Sequence, residues 1–106
     1  MRVAERTDRP TILFRAAGSA GGRFPLELYV SARGVDGLAD GVHWYDPVGH
    51  ALLAVGPPAD REVTTLIVTG VPWRTAWRCA ERAFRHINWD AGTMLAQALA
   101  LAASTK

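Results

Sequence analysis

One short loop gathers residues that could hold an anion. In "RAAGSAGGRFPLELYV", residues 15–30, Arg15 supplies a cation, Ser19 a hydroxyl, and Gly21 and Gly22 backbone N–H groups that no side chain screens. A phosphate, or the carbonyl edge of a flat heteroaromatic ring, asks for that combination of donors. Glycine also lets such a group come close to the backbone. A plain turn leading into a strand uses the same residue types, and taken by itself the loop reads more simply as such a turn.

A second constellation lies near the C-terminus. Arg74, Arg78, Arg82 and Arg85 are spaced by four, four and three residues, so on a continuous helix they share one face. Such a stripe could face an anionic ligand; its plainer reading is a solvated face. Trp73, Trp77, Phe84 and Trp89 interleave with the arginines. Arginine among aromatics can bind single-stranded nucleic acid, but such rings more often anchor a core or an interface, and no nucleic-acid partner is expected. His43, His50 and His86 show no ligand spacing, so no metal site is expected. Cys79 is the single cysteine, which rules out an internal disulfide and a cysteine-based zinc site. Without an assignable histidine partner it reads as inert.

The composition frames these groups. Of 106 residues, 49% are hydrophobic and 21% charged, as in one globular domain. The formal net charge is +2, and it is uneven. Residues 1–60 carry six arginines against seven carboxylates; residues 61–106 carry five arginines and Lys106 against Glu62, Glu81 and Asp90. That mild surplus suits an anionic ligand better than it suits nucleic acid. No apolar run is long enough for a membrane span, and "MRVAERTDRP" lacks the apolar core of a secretory signal, so a cytoplasmic protein is expected.

The elements that must position these residues are legible in part. Residues 1–12 read as a flexible lead-in, with Pro10 ending any regular start, and residues 13–106 as the domain proper. "PLELYVSAR" alternates Leu26, Leu28 and Val30 against Glu27, Tyr29 and Ser31, the period of a strand. "GVDGLADG" is a turn-rich connection, and "VHWYDPVGHALLAVG" predicts a hairpin turning at residues 46–49. "VTTLIVTGV" is a β-branched apolar run that predicts a buried strand. The pattern becomes helical from Trp73, and Ala91 to Ala103 is rich in alanine and leucine, with Asp90 either capping that helix or lying within a longer one. The expected class is α+β or mixed α/β. A helix apolar on nearly every side requires more cover than one sheet supplies, so a neighbouring helix or a second subunit is expected.

Three stretches in order, "RAAGSAGGRFPLELYV", "GVHWYDPVGHALLAV" and "WRTAWRCAERAFRHINWDAG", resemble the nitroreductase superfamily and, within it, the SagB-type dehydrogenases. Those flavin-dependent oxidases act on azoline rings in modified peptides. Their pattern is an R-x-x-P-S-x-G loop, a P-L-E-x-Y strand, a G-x-Y-x-Y-D-P-x-x-H-x-L hairpin, a W-K-Y-x-x-R-x-x-R segment and a D-x-G-H helix. Residues from about Leu13 to Ala103 follow that order. Here Gly18 stands at the loop proline, Thr93 at the helix histidine, and Arg78-Cys79 at the Lys-Tyr pair. Arginine keeps the charge of lysine but cannot give up a proton, and a thiol does not replace a phenol.

The resemblance implies a nitroreductase-like α+β fold, an antiparallel or mixed sheet packed against an apolar central helix, with both ends shorter than in family members. It implies FMN as cofactor, with Arg15, Ser19, Gly21 and Gly22 as its contacts and Arg78 as the candidate for orienting substrate. It further implies a homodimer and hydride transfer through flavin N5 to or from a peptide or small molecule. The alternative is a catalytically silent relative that keeps the dimer core as an interaction module.

Overall fold

The structure, a computed structural model, describes residues 2–6, 9–15 and 17–105. Their fold is α+β, and the chain divides into two compact units, Met1–Pro25 with Pro72–Lys106, and Leu26–Val71.

The second unit is a four-stranded sheet. Strands β3 (Leu26–Ala32), β4 (Gly41–Asp46), β5 (Ala51–Gly56) and β6 (Thr65–Gly70) lie in the order β5-β4-β3-β6, every pair antiparallel. The antiparallel alternative of the sequence reading is therefore the one realised. The alternating segment is central β3, which places Tyr29 opposite both Trp44 and Ile67, and Val30 opposite both His43 and Leu66. Directly opposed residues share a face, so the sequence alternation becomes cross-strand packing.

The predicted hairpin is β4–β5. Asp46 closes its turn by accepting the Val48 N–H at 2.9 Å, the local bond that favours aspartate there. Beside the turn, Tyr45 and His50 share a hydrogen bond between the phenol oxygen and Nδ1 at 2.8 Å. In β4, Trp44 donates its indole N–H to Glu27 on β3 at 2.7 Å. The glycine-rich stretch is a turn as expected: the Gly34 N–H reaches Asp40 Oδ1 at 2.8 Å, and Arg33 and Asp40 form an ion pair at 3.9 Å.

One strand expectation is corrected. The apolar run at β6 is an edge strand and not a buried one: Leu66 is 58% exposed, and Ile67 and Val68 are exposed as well. A β-branched run signals strand propensity, while its place in the sheet order depends on partners far away in sequence. β6 lies at the edge because the connection after β5 carries it past β4 to the free side of β3.

In the first unit, β1 (Arg2–Arg6) and β2 (Arg9–Phe14) form a two-stranded antiparallel ribbon, with Arg2 opposite Phe14 and Val3 opposite Leu13. The lead-in expected at residues 1–12 thus contains paired backbone at residues 2–6 and 9–12; its residues 1, 7 and 8 lie outside the described residues. Pro10 falls inside β2 instead of ending regular structure. A strand with a single neighbour leaves alternate N–H groups without ladder partners, so proline is tolerated there.

Helix α1 (Trp73–Cys79) and the long α2 (Ala83–Ser104) complete this unit, with a 3-10 turn at Ala80–Arg82 between them. The break is at Ala80, whose φ of 49° and ψ of −129° no helix contains. Thr75 and Ala83 are the side chains this arrangement buries. Helix α2 begins eight residues before the segment predicted from its composition. Its less exposed positions, Ala83, His86, Ile87, Asp90, Ala91, Met94 and Ala98, recur with helical period and make one face. Leu95, Leu99 and Leu101 are exposed.

Candidate functional site

The loop from Arg15 to Phe24 is closed by hydrogen bonds from its own residues and from α2. The Ser19 O–H donates to Asp90 Oδ2 at 3.3 Å, and the Ala20 N–H meets the same carboxylate at 3.2 and 3.3 Å. In turn Ser19 Oγ accepts the Phe24 N–H at 2.8 Å, and the Ser19 carbonyl accepts the Gly22 N–H at 3.0 Å. Between these anchors the chain makes a 3-10 turn, Ala20–Gly22, with Gly21 at φ 65° and Gly22 at φ 64°. The glycines are there because the left-handed region costs other residues about 1–2 kcal/mol. Phe24 takes φ 48° without that freedom, held by its bond to Ser19.

Arginines surround the loop. The Arg15 guanidinium lies over the Phe24 ring at 5.0 Å, and that of Arg23 over Trp77 at 4.5 Å. Arg74 donates to the Phe24 carbonyl at 3.3 Å. Arg78 reaches the loop itself: its Cδ lies 4.0 Å from where a Cβ on Gly21 would be, with Arg23 Cγ at 3.8 Å on the same glycine. Gly18 and Gly22 are open, with no heavy atom of the described residues within 4 Å of a built Cβ.

Arg15, Ser19, Gly21 and Gly22 are thus held on one loop, and Arg78 is brought against it from α1. The four-arginine stripe is not realised as one face. The kink at Ala80 interrupts it, so Arg74 and Arg78 serve the loop while Arg82 and Arg85 line an open depression with Glu81 and Phe84. Three contributors to the loop escaped the sequence reading: Asp90 as its acceptor, and Trp77 and Phe24 as the rings beneath Arg23 and Arg15. Asp90 is the eighth residue of α2, well past the capping position. An aspartate in a helix interior is unfavourable for the helix itself, and that is the signal that it serves something else.

The loop suits a planar anionic group. It offers open glycine backbone, the side chains of Arg23 and Arg78 against Gly21, and the Nε of Arg23 buried with no hydrogen-bond partner among the described residues.

This geometry can be set beside known proteins. No family model matches the chain. Over 97 residues it is 29% identical to a protein of Methanocaldococcus jannaschii, an alignment covering 74% of this chain and 48% of that relative. It superposes on a crystal structure from Anabaena variabilis with a TM-score of 0.68 and 30% identity, over 86% of this chain and 22% of the other. Both relatives bear the name "putative nitroreductase".

The fold is nitroreductase-like. The chain spans about half the length of the curated relative it matches, and a smaller share of the solved one. No helix of the described residues is long and apolar enough to cross a membrane.

Proposed function

We propose that this chain is a partial nitroreductase-like domain, residues 13–106, that binds FMN as part of an oxidoreductase of the nitroreductase superfamily. On this reading it resembles the SagB-type dehydrogenases and acts as a cytoplasmic homodimer on a peptide or small molecule. FMN, when bound, supplies the hydride-carrying N5. The chain's own residues bind and orient. Gly21 and Gly22 turn the backbone through the left-handed region, so that a flat ring or a phosphate can come close to the backbone with the Gly21 N–H open to it. Arg15 brings a positive charge fixed against Phe24, and the Arg78 side chain lies against Gly21, where it would orient cofactor or substrate. The observation that carries the reading is this pair of left-handed glycines with arginine side chains against Gly21, in a fold shared with nitroreductase-named proteins.

The test is an FMN titration of the purified chain followed by flavin absorbance and fluorescence. Saturable binding that weakens about tenfold in Arg15→Ala, and again in Arg78→Ala, supports the proposal, since a charge-assisted contact is worth about 1.5–3 kcal/mol. A folded chain that fails to bind FMN at high concentration defeats it.

A second reading, a silent dimeric interaction module, draws on a different observation. Leu95, Leu99 and Leu101 on α2, and Trp73 and Trp77 on α1, are exposed, an amount of apolar surface that usually marks an interface. A colourless protein that associates with itself and never takes up flavin would favour that reading.

A further inference from the structure

We infer that Asp90 is a positioning residue that latches the Ser19 loop to helix α2, and that Ser19 works through this latch instead of touching a ligand. The inference deepens the FMN reading, and its ligand-binding half rests on that reading. The bonding of the Ser19 hydroxyl carries it. Its proton is directed at Asp90 Oδ2 at 3.3 Å, and its oxygen already accepts the Phe24 N–H at 2.8 Å. A hydroxyl has one donor to give, and this one is given to a carboxylate. The Ala20 N–H points to that carboxylate too, at 3.2 and 3.3 Å. Four donors are therefore consumed in closing residues 19–24 and tying them to a helix some seventy residues away in sequence: the Ser19 O–H and Ala20 N–H on Asp90, and the Gly22 and Phe24 N–H groups on Ser19.

The donors that remain for an anion lie at the apex, in the Gly21 N–H and the Arg23 and Arg78 side chains, the Gly22 N–H being given to the Ser19 carbonyl. Their alignment depends on the latch: Gly21 and Gly22 are flexible in themselves, and the loop ends are pinned by Asp90 on one side and by the Ser19–Phe24 bond on the other. The residue type at position 90 agrees, because aspartate two turns into a helix has no helical reason to be there.

The test measures amide hydrogen exchange by NMR, together with FMN titration, on the full chain and on Ser19→Ala, Ser19→Thr, Asp90→Asn and the double variant Ser19→Ala/Asp90→Asn. Ser19 has extended backbone angles, φ −151° and ψ 134°, which threonine adopts readily while keeping the hydroxyl. Asp90→Asn and Ser19→Ala are each expected to speed exchange at Ala20 and Phe24 about tenfold, with α2 amides unchanged, and to weaken FMN about tenfold. The double variant is expected to be no worse than the more affected single one, since both remove one linked unit. Ser19→Thr is expected to behave as the native chain. Unchanged exchange at Ala20 and Phe24 in Asp90→Asn, or full additivity in the double variant, overturns the latch. If the native chain binds no FMN, the FMN reading fails by itself, and exchange at Ala20 and Phe24 still decides the latch.

Discussion

Gly21 and Ala80 are two residues whose backbone angles decide what their side chains should be. Gly21 has φ 65°, and a Cβ added there meets Arg23 Cγ at 3.8 Å and Arg78 Cδ at 4.0 Å, which is ordinary contact. The cost of Gly21→Ala is therefore conformational: a destabilisation of about 1 kcal/mol is expected in urea unfolding, together with weaker FMN binding. Ala80 is the converse case. It holds φ 49° and ψ −129° with a Cβ that disfavours them, so Ala80→Gly should raise the unfolding free energy by about 1 kcal/mol. A melting temperature that falls in Ala80→Gly would show that the strained kink is not what the folded chain adopts.

At the scale of elements, the sheet depends on one close backbone approach, and helix α1 carries the cost of one buried, unpaired hydroxyl. Gly41 opens β4 at φ 146°, and a Cβ there would lie 2.9 Å from the Gly56 carbonyl oxygen of β5, beside the register shift at Val42 and His43. Backbone cannot swing aside as a side chain can, so Gly41→Ala is expected to destabilise by about 2 kcal/mol or more and to perturb amide shifts along β4 and β5. In α1, Thr75 is fully buried, and its hydroxyl has no partner among the described residues. An unpaired hydroxyl in such a place costs about 1–3 kcal/mol, so Thr75→Val should stabilise by about 1 kcal/mol, read as a higher urea midpoint at unchanged slope. A loss of stability would mean that the hydroxyl is bonded after all.

For the whole molecule, the buried hydrophobic residues among those described are Ala32 and Ala83, both small, while large side chains from β5, β6, α1 and α2 face outward. Leucines so exposed would be stabilised by cover from a second chain. A dimer is therefore expected by sedimentation equilibrium at micromolar concentration. Leu95→Glu with Leu99→Glu should shift it to monomer and lower its thermal stability, because the charges would have to be buried in the contact. A monomer in the native chain would remove the interface from the proposal.

Local chemistry was legible in the sequence because it acts over short distances. The alternation of β3, the Asp46 turn between β4 and β5, the glycine turns after β3 and the helical nature of the last third each follow from period, propensity or a side chain bonding its own backbone. The order of the motifs was enough to point to a nitroreductase-like α+β fold. The remaining features were set by partners distant in sequence. The apolar run of β6 became an exposed edge, a matter of sheet order and not of its own composition. Arg74 to Arg85 kept their spacing, but an alanine, the best helix former, took a non-helical conformation and divided them. Of the two readings of Asp90, a cap or a residue within a longer helix, the second is realised: α2 starts at Ala83, and the carboxylate lies where the Ser19 loop meets it. The sequence by itself determined which residues turn, pair and coil. Only the tertiary structure decided that the loop closes on Asp90, because a hydrogen bond across seventy residues leaves no period or spacing to be read.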